Sequence, residues 1–175
     1  WYEIEIDKGY PKDLDWLIQN SSSLVIMNPE TKSIKKNTRD VIGVQNGEMI
    51  SEDVLHLNCG WPTNTQVPGK QTGAIKKGDS VVLKPRPGTA IRLYKTFNCV
   101  LKNLTIYSSP GMAIMEGEGK GGNRYSDITI TPGSKPEGGE RERLLSVNAD
   151  AFHSLSMEKG PIVENCYCEQ MGDDR

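Results

Sequence analysis

The sequence contains no apolar run near the ~20 residues that a membrane-crossing helix needs, so no such span is expected. Aromatics are scarce, with two phenylalanines, three tryptophans and six tyrosines in 175 residues. The 21 Lys and Arg residues are scattered among 23 Asp and Glu, for a net charge of −2. No basic stripe with interleaved aromatics stands out, which argues against a nucleic-acid partner. Histidine is limited to two positions. The four cysteines, Cys59, Cys99, Cys166 and Cys168, lack the paired Cys-x-x-Cys or His spacing of a zinc set, so neither metal nor cofactor is expected. Cys166 and Cys168 would face the same side of a strand at ~6.6–6.8 Å, poor disulfide geometry, and read as buried free thiols. There is no signal peptide and no initiating Met. A start at Trp1 suggests trimmed ends, so the missing signal is silent about secretion.

What is present is turn chemistry: 18 glycines and 10 prolines beside 35% hydrophobic residues. That mixture suits many short strands rather than a helical bundle. Tyr2–Asp7 alternates apolar and charged residues, the period of a half-buried strand. Lys12–Ile18 fits either a helical turn or an irregular strand. Further strands are predicted at Ser23–Met27, Asp40–Val44, Asp53–Leu57 and Ser80–Lys84. Asn28–Thr31 and Lys77–Asp79 supply turns, and a polar loop runs from Gly60 to about Gly73. Residues 1–84 are therefore expected to form a small β-barrel-like or sandwich unit.

Beyond Lys84–Gly88 the pattern becomes repetitive. Asn103–Ile106 aligns with Asp127–Ile130 at an offset of 24, and Ala90–Tyr94 with Met112–Glu116 at 22. Asn165–Cys168 fits the same template 38 residues after Asp127, leaving room for an excursion at Thr131–Arg141, rich in Gly, Pro and charge. Short strands repeating every 22–25 residues without helices predict a parallel β-helix over residues 85–175. It is expected to be right-handed, because parallel crossovers almost always are. With the sequence stopping at Arg175 as a rung begins, this solenoid is expected to be incomplete. Gly117–Gly122 lacks the Lys-Ser/Thr and following helix of a phosphate loop and reads as a turn between rungs.

One repeat length also separates Asp150, in Asn148-Ala149-Asp150, from Asp173-Asp174. Carboxylates on adjacent rungs can fall ~6.5–9.5 Å apart, the separation for one acid to protonate a glycosidic oxygen while another activates water. Clustered acids also raise one another's pKa, which helps to keep one protonated. Asp173 and Asp174 would face opposite ways in a regular strand, so both reach one groove only if the chain bends at Gly172. The plainer alternative makes Asp150 a turn residue and Asp173-Asp174 a solvated strand end.

Asn148-Ala149-Asp150 and Gly172-Asp173-Asp174 resemble the Asn-x-Asp and Asp-Asp motifs of polygalacturonases. The wider run is more similar to glycoside hydrolase family 110, bacterial exo-acting α-1,3-galactosidases. It comprises Lys77-Gly78-Asp79, Ser109-Pro110-Gly111, Glu142–Leu145, Ala149–His153, Gly160-Pro161 and Asp173-Asp174. The resemblance implies a pectin-lyase-like β-helix interrupted by a barrel unit, and inverting hydrolysis of α-galactosides on an oligosaccharide or glycan partner. It implies a secreted, periplasmic or cell-surface location. Asp173 would be the general acid, with Asp150 and Asp174 holding and activating water. Ala149 and Ala151-Phe152-His153 depart from the polygalacturonase pattern, which disfavours pectic substrates.

Three further residues are candidates for substrate binding. His153 follows Asp150 by three positions and either contacts a sugar hydroxyl, tunes an acid or is structural. Glu116, at a strand end one rung earlier, either borders the groove or is solvated. Arg143, like Arg141, either binds sugar hydroxyls or pairs with Glu140 or Glu142. His56 reads as a satisfied structural histidine. The rival functions are a β-helix polysaccharide lyase, which would need a Ca²⁺ site or a basic residue in the groove, and a non-catalytic glycan-binding β-helix or adhesin.

Overall fold

Alternation at the start of the chain places Ile4 inward and the glutamates beside it outward, giving strand β1 (Tyr2–Glu5). A computed structural model describes residues 1–36, 38, 41–59 and 76–173. Asp13 decides the ambiguous segment after β1. Its carboxylate accepts the Trp16 amide at 3.0 Å, an N-cap that starts helix α1 (Leu14–Asn20). Strands β2 (Ser21–Asn28), β3 (Ser33–Ile34), β4 (Ile42–Met49), β5 (Val54–Cys59) and β6 (Ser80–Pro85) follow. The Asn28 side chain accepts the amides of Glu30 and Thr31, closing the turn between β2 and β3. The predicted loop at 60–73 and Asp40 lie outside the described residues.

These strands pair antiparallel in the order β1-β5-β4-β2-β3, with β6 also on β2. Leu24, Ile26, Ile42, Leu55 and Leu57 form the core, joined by Ile4, Ile18, Val81 and Leu83. Each such side chain, fully buried, contributes about 1.5–3 kcal/mol. Among the described residues no pairing joins β1 to β6. No described helix is long and apolar enough to cross a membrane.

A first compact unit comprises residues 1–85 and 135–144, and a second comprises 86–134 and 145–175. The excursion predicted as a loop between rungs thus belongs largely to the first unit. Ion pairs hold it there, Lys8–Glu140 and Lys32–Glu142, both at 2.6 Å, and the Arg141 amide donates to Asp7 at 3.1 Å.

Among the described residues of the second unit every pairing is parallel. Strands β7 (Ile91–Tyr94), β9 (Ile114–Gly117) and β11 (Phe152–Leu155) form one ladder. A second joins β8 (Val100–Ile106) to β10 (Arg124–Ile130), and β10 to β12 (Ile162–Glu164) and β13 (Tyr167–Cys168). Leu104 stands opposite Ile128 and Ile130 opposite Cys168, the expected steps of 24 and 38. The step of 22 is corrected to 23, because Ile91 pairs with Ile114. Glu116 takes an inward position there, one that apolar patterning would assign to a hydrophobic residue, and this slides the alignment by one.

The stacked turns repeat in backbone conformation as well as in sequence. Asn103, Asp127 and Asn165 have φ of 56°, 54° and 52°, and Lys95, Glu118 and Ser156 have φ of 54°, 55° and 54°. Each trio recurs at its ladder's own step, so left-handed corners lie in columns. Asn and Asp tolerate this conformation better than other non-glycine residues. The first column separates β12 from β13 at Asn165. Ile106, Ala113, Ile114, Tyr125, Ile128, Ile130, Val147 and Ala151 fill the interior, with Cys166 and Cys168 packed against them. All four cysteines are free and partly exposed. Burial pushes the Cys59 thiol up to about 11.

Candidate functional site

Asp150 precedes β11 between two buried alanines, Ala149 and Ala151, and is itself only 9% exposed. Backbone bonds to the preceding turn fix this segment. Asn148 donates to the Ser109 carbonyl at 3.2 Å, Ala149 to that of Gly111 at 3.1 Å, and the Asp150 carbonyl accepts the Ala113 amide at 3.0 Å. Side chains larger than alanine on either side would have to displace core atoms. The sequence therefore presents one carboxylate from a tightly packed small-residue frame.

His153 lies on β11, and its Nδ1 is 2.6 Å from Asp150 Oδ2. With Asp150 ionised, that bond requires a proton on Nδ1, leaving Nε2 to accept in the neutral ring or donate in the charged one. The neighbouring Phe152 ring stacks on Tyr125 at 5.7 Å between centroids and anchors the strand from the core side.

The Asp173 segment packs on the same frame from the next turn. Val147 forms parallel bridges to both Ser109 and Met171, and the Gly172 amide donates to the Val147 carbonyl at 2.8 Å. A Cβ on Gly172 would lie 2.5 Å from the Asn148 carbonyl oxygen, so only glycine allows this approach. The local step from Val147 to Met171 is 24, one more than the separation of Asp150 and Asp173. Counting on from that bridge, Asp173 falls opposite Ala149, and the two acids are staggered by one residue. Asp174 lies outside the described residues.

Arg86 Nη2 contacts Asp173 Oδ2 at 2.7 Å, with both side chains partly exposed. This partner was not among the residues singled out from the sequence. It sits in the Lys84–Gly88 junction, which carries only turn signals, and nothing in its spacing points to an acid 87 positions away.

Two expected site residues lie elsewhere. Glu116 neither borders a groove nor meets solvent; it is 1% exposed. Its carboxylate accepts Asn123 Nδ2 at 2.7 Å, the Tyr125 hydroxyl at 2.6 Å and the Ser154 hydroxyl at 2.7 Å. Burial, followed by the bond to Glu116, raises the Tyr125 pKa far above its ordinary value. This is a satisfied buried network linking β9, β10 and β11, of the kind that holds a core in one arrangement. Arg143 belongs to the first unit, its guanidinium 5.9 Å from the Tyr10 ring centre.

Chemically, the second unit brings together a carboxylate–imidazole pair and a carboxylate–guanidinium pair on adjacent turns. Among the described residues no group of three His, Cys, Asp or Glu side chains is arranged to hold a metal ion. No family model matches this chain, and no curated protein matches it.

Proposed function

We propose that the second unit is a stretch of right-handed parallel β-helix and that Asp150 and Asp173 serve inverting hydrolysis of an α-galactoside. The observation that carries this reading is the packing of the two acid-bearing segments on one frame, through Val147 and Met171, with Asp150 already paired to His153. The parallel ladders and the columns of left-handed corners support the fold. The resemblance to glycoside hydrolase family 110 supports the substrate class.

In this mechanism Asp173 donates its proton to the glycosidic oxygen as the bond from that oxygen to the anomeric carbon breaks. Asp150 takes a proton from a water attacking the anomeric carbon from the opposite face, so configuration inverts. His153 occupies Oδ2 of Asp150 and leaves Oδ1 to face the water. Arg86 pairs with Oδ2 of the Asp173 carboxylate, and this ion pair is released when Asp173 enters the reaction as the protonated acid. The resemblance assigns Asp174 to the water as well. Both units would belong to a secreted, periplasmic or cell-surface enzyme, with the first as a β-rich accessory unit.

The test is hydrolysis of p-nitrophenyl α-galactoside followed by proton NMR. The expected first product is β-galactose, and Asp150→Asn lowers kcat by about 10²–10⁴-fold. Asp173→Asn does the same on substrates with poor leaving groups. Initial release of α-galactose, or unchanged turnover in both variants, would remove the inverting assignment. Binding of galactosides without any turnover would favour the non-catalytic glycan-binding alternative.

A further inference from the structure

The ladder of β7, β9 and β11 turns one face inward, where Ile91, Leu93, Ile114 and Phe152 meet the core. Alternation puts Arg92, Met115 and His153, one register column, on the opposite face. Two residues on, Tyr94, Gly117 and Leu155 form the next outward column. Tyr94 and Leu155 are 49% and 52% exposed, and Gly117 contributes no side chain between them. A Cβ built on Gly117 would approach only the Leu155 carbonyl oxygen, at 3.7 Å. The column is therefore a slot walled by a tyrosine ring and a leucine.

The tyrosine is held in place. Its hydroxyl donates to Glu118 Oε2 at 2.7 Å, and the charges of Arg92 and Lys95 lie 5.6 and 5.2 Å from its ring centre. Just past the strand ends, at the column of left-handed corners, lies a shallow cavity of about 400 Å³, largely open to solvent. Lys95, Glu118, Gly119, Lys120, Ser156 and Glu158 line it. Among the described residues Lys120 and Glu158 form no ion pair, although they share this cavity.

We infer that slot and cavity together form a second saccharide subsite, distinct from the Asp150–Asp173 pair. A pyranose has an apolar C–H face and a rim of hydroxyls that both donate and accept. Tyr94 and Leu155 supply an apolar wall, while Lys120, Ser156 and Glu158 supply donors and acceptors together. Two lysines and two glutamates leave the lining without net charge, so neither an anion nor a cation is favoured, and an apolar ligand would leave four charges desolvated. Ser156 lies three residues beyond His153, about 10 Å along the strand. A ligand touching both places is thus a neutral oligosaccharide running along the strands, with its terminal sugar at Asp150. The subsite's role as the distal end of a substrate groove rests on the hydrolase reading; its capacity to bind sugar does not.

The test uses the full chain and a neutral tetrasaccharide ending in α-1,3-linked galactose. In amide correlation spectra the Gly119 and Lys120 signals are expected to shift on titration. Lys120→Ala and Glu158→Ala each weaken binding several-fold. In kinetics the same variants raise KM for the tetrasaccharide several-fold and leave p-nitrophenyl α-galactoside, too short to reach the cavity, unchanged. Amides that stay still at saturating tetrasaccharide overturn the subsite, as does an equal loss on both substrates. Shifted amides without hydrolysis of either substrate keep the subsite and remove the hydrolase reading. Hydrolysis of both substrates with unmoved amides does the reverse.

Discussion

The two units use opposite strand logic. Among the described residues, every pairing in the first is antiparallel and joins strands at unrelated separations, as when Tyr2 meets Leu57 and Ser80 meets Met27. Every pairing in the second is parallel and advances by 23, 24 or 38 residues, as in Ile91–Ile114, Leu104–Ile128 and Phe152–Ile114. A residue of the first unit answers to its own local surroundings. In the second, each position inherits the backbone conformation and clearance of the position one turn away, so constraint runs in columns.

Glycine replacement should separate the two most sharply. Gly121 has φ +71°, and a Cβ there would lie 1.8 Å from the Lys159 carbonyl oxygen. Overpacking together with left-handed strain predicts a loss of about 3 kcal/mol or more for Gly121→Ala in urea denaturation. Gly78 in the first unit has φ +92° with nothing within 4 Å of a Cβ, so Gly78→Ala should cost only about 1–2 kcal/mol. Equal losses would break the contrast.

Polar contacts come next. Glu116→Ala strands two buried donors, Asn123 Nδ2 and the Tyr125 hydroxyl, and releases the Ser154 hydroxyl, and should cost about 3 kcal/mol. The partly exposed Lys35–Asp79 pair of the first unit, at 2.5 Å, should contribute at most about 1 kcal/mol in a double-mutant cycle. A coupling at Lys35–Asp79 as large as the Glu116 loss would contradict the column argument.

The units should also differ in pH response. Tyr125 has a folded pKa raised above its ordinary value of 10.0, first by burial and then by its bond to Glu116. Its neutral form is favoured on folding, so this stability is complete below pH 10 and is lost as pH rises beyond it. Tyr125→Phe should flatten the alkaline limb of the stability curve. Burial acts to raise the Asp79 pKa, but the Lys35 ammonium and the Lys76 amide outweigh it, leaving it below its ordinary value of 3.8. That contribution is present above pH 3.8 and is lost as pH falls through the folded pKa. Asp79→Asn should flatten the acid limb and leave the alkaline one alone.

The smallest effect is expected at the corner column. Asp127 stands between Asn103 and Asn165, accepting Asn165 Nδ2 at 3.4 Å. Asp127→Asn should retain stability, and Asp127→Ala should lose about 1 kcal/mol through the left-handed backbone.

Much of the second unit was legible because its strands obey a simple rule. Leu104, Ile106, Ile128 and Ile130 alternate with polar residues, and Asn or Asp marks each corner of that ladder. The other column, Lys95, Glu118 and Ser156, uses residue types with no preference for left-handed backbone, and it passes unseen in the sequence. Glu116 breaks the pattern altogether by burying a carboxylate where alternation leads one to expect an apolar side chain. At the candidate site, the motif residues Asp150 and Asp173 were visible from their spacing and His153 from its nearness to Asp150. Arg86 was not, since no spacing in the sequence marks it as the partner of an acid 87 positions away.

By itself the sequence determined an all-β chain in which the strands after residue 85 recur at steps near 24, with one longer step of 38. Periodicity is a statement about which way successive side chains point along one strand, and that is a local property. Tertiary structure alone decided the 23-residue register of β7 and β9, the placement of residues 135–144 with the first unit, and the partners of Asp150, Asp173 and Glu116. These depend on which groups meet through space, where a single hydrogen bond or one absent Cβ selects between alignments that patterning leaves nearly equal.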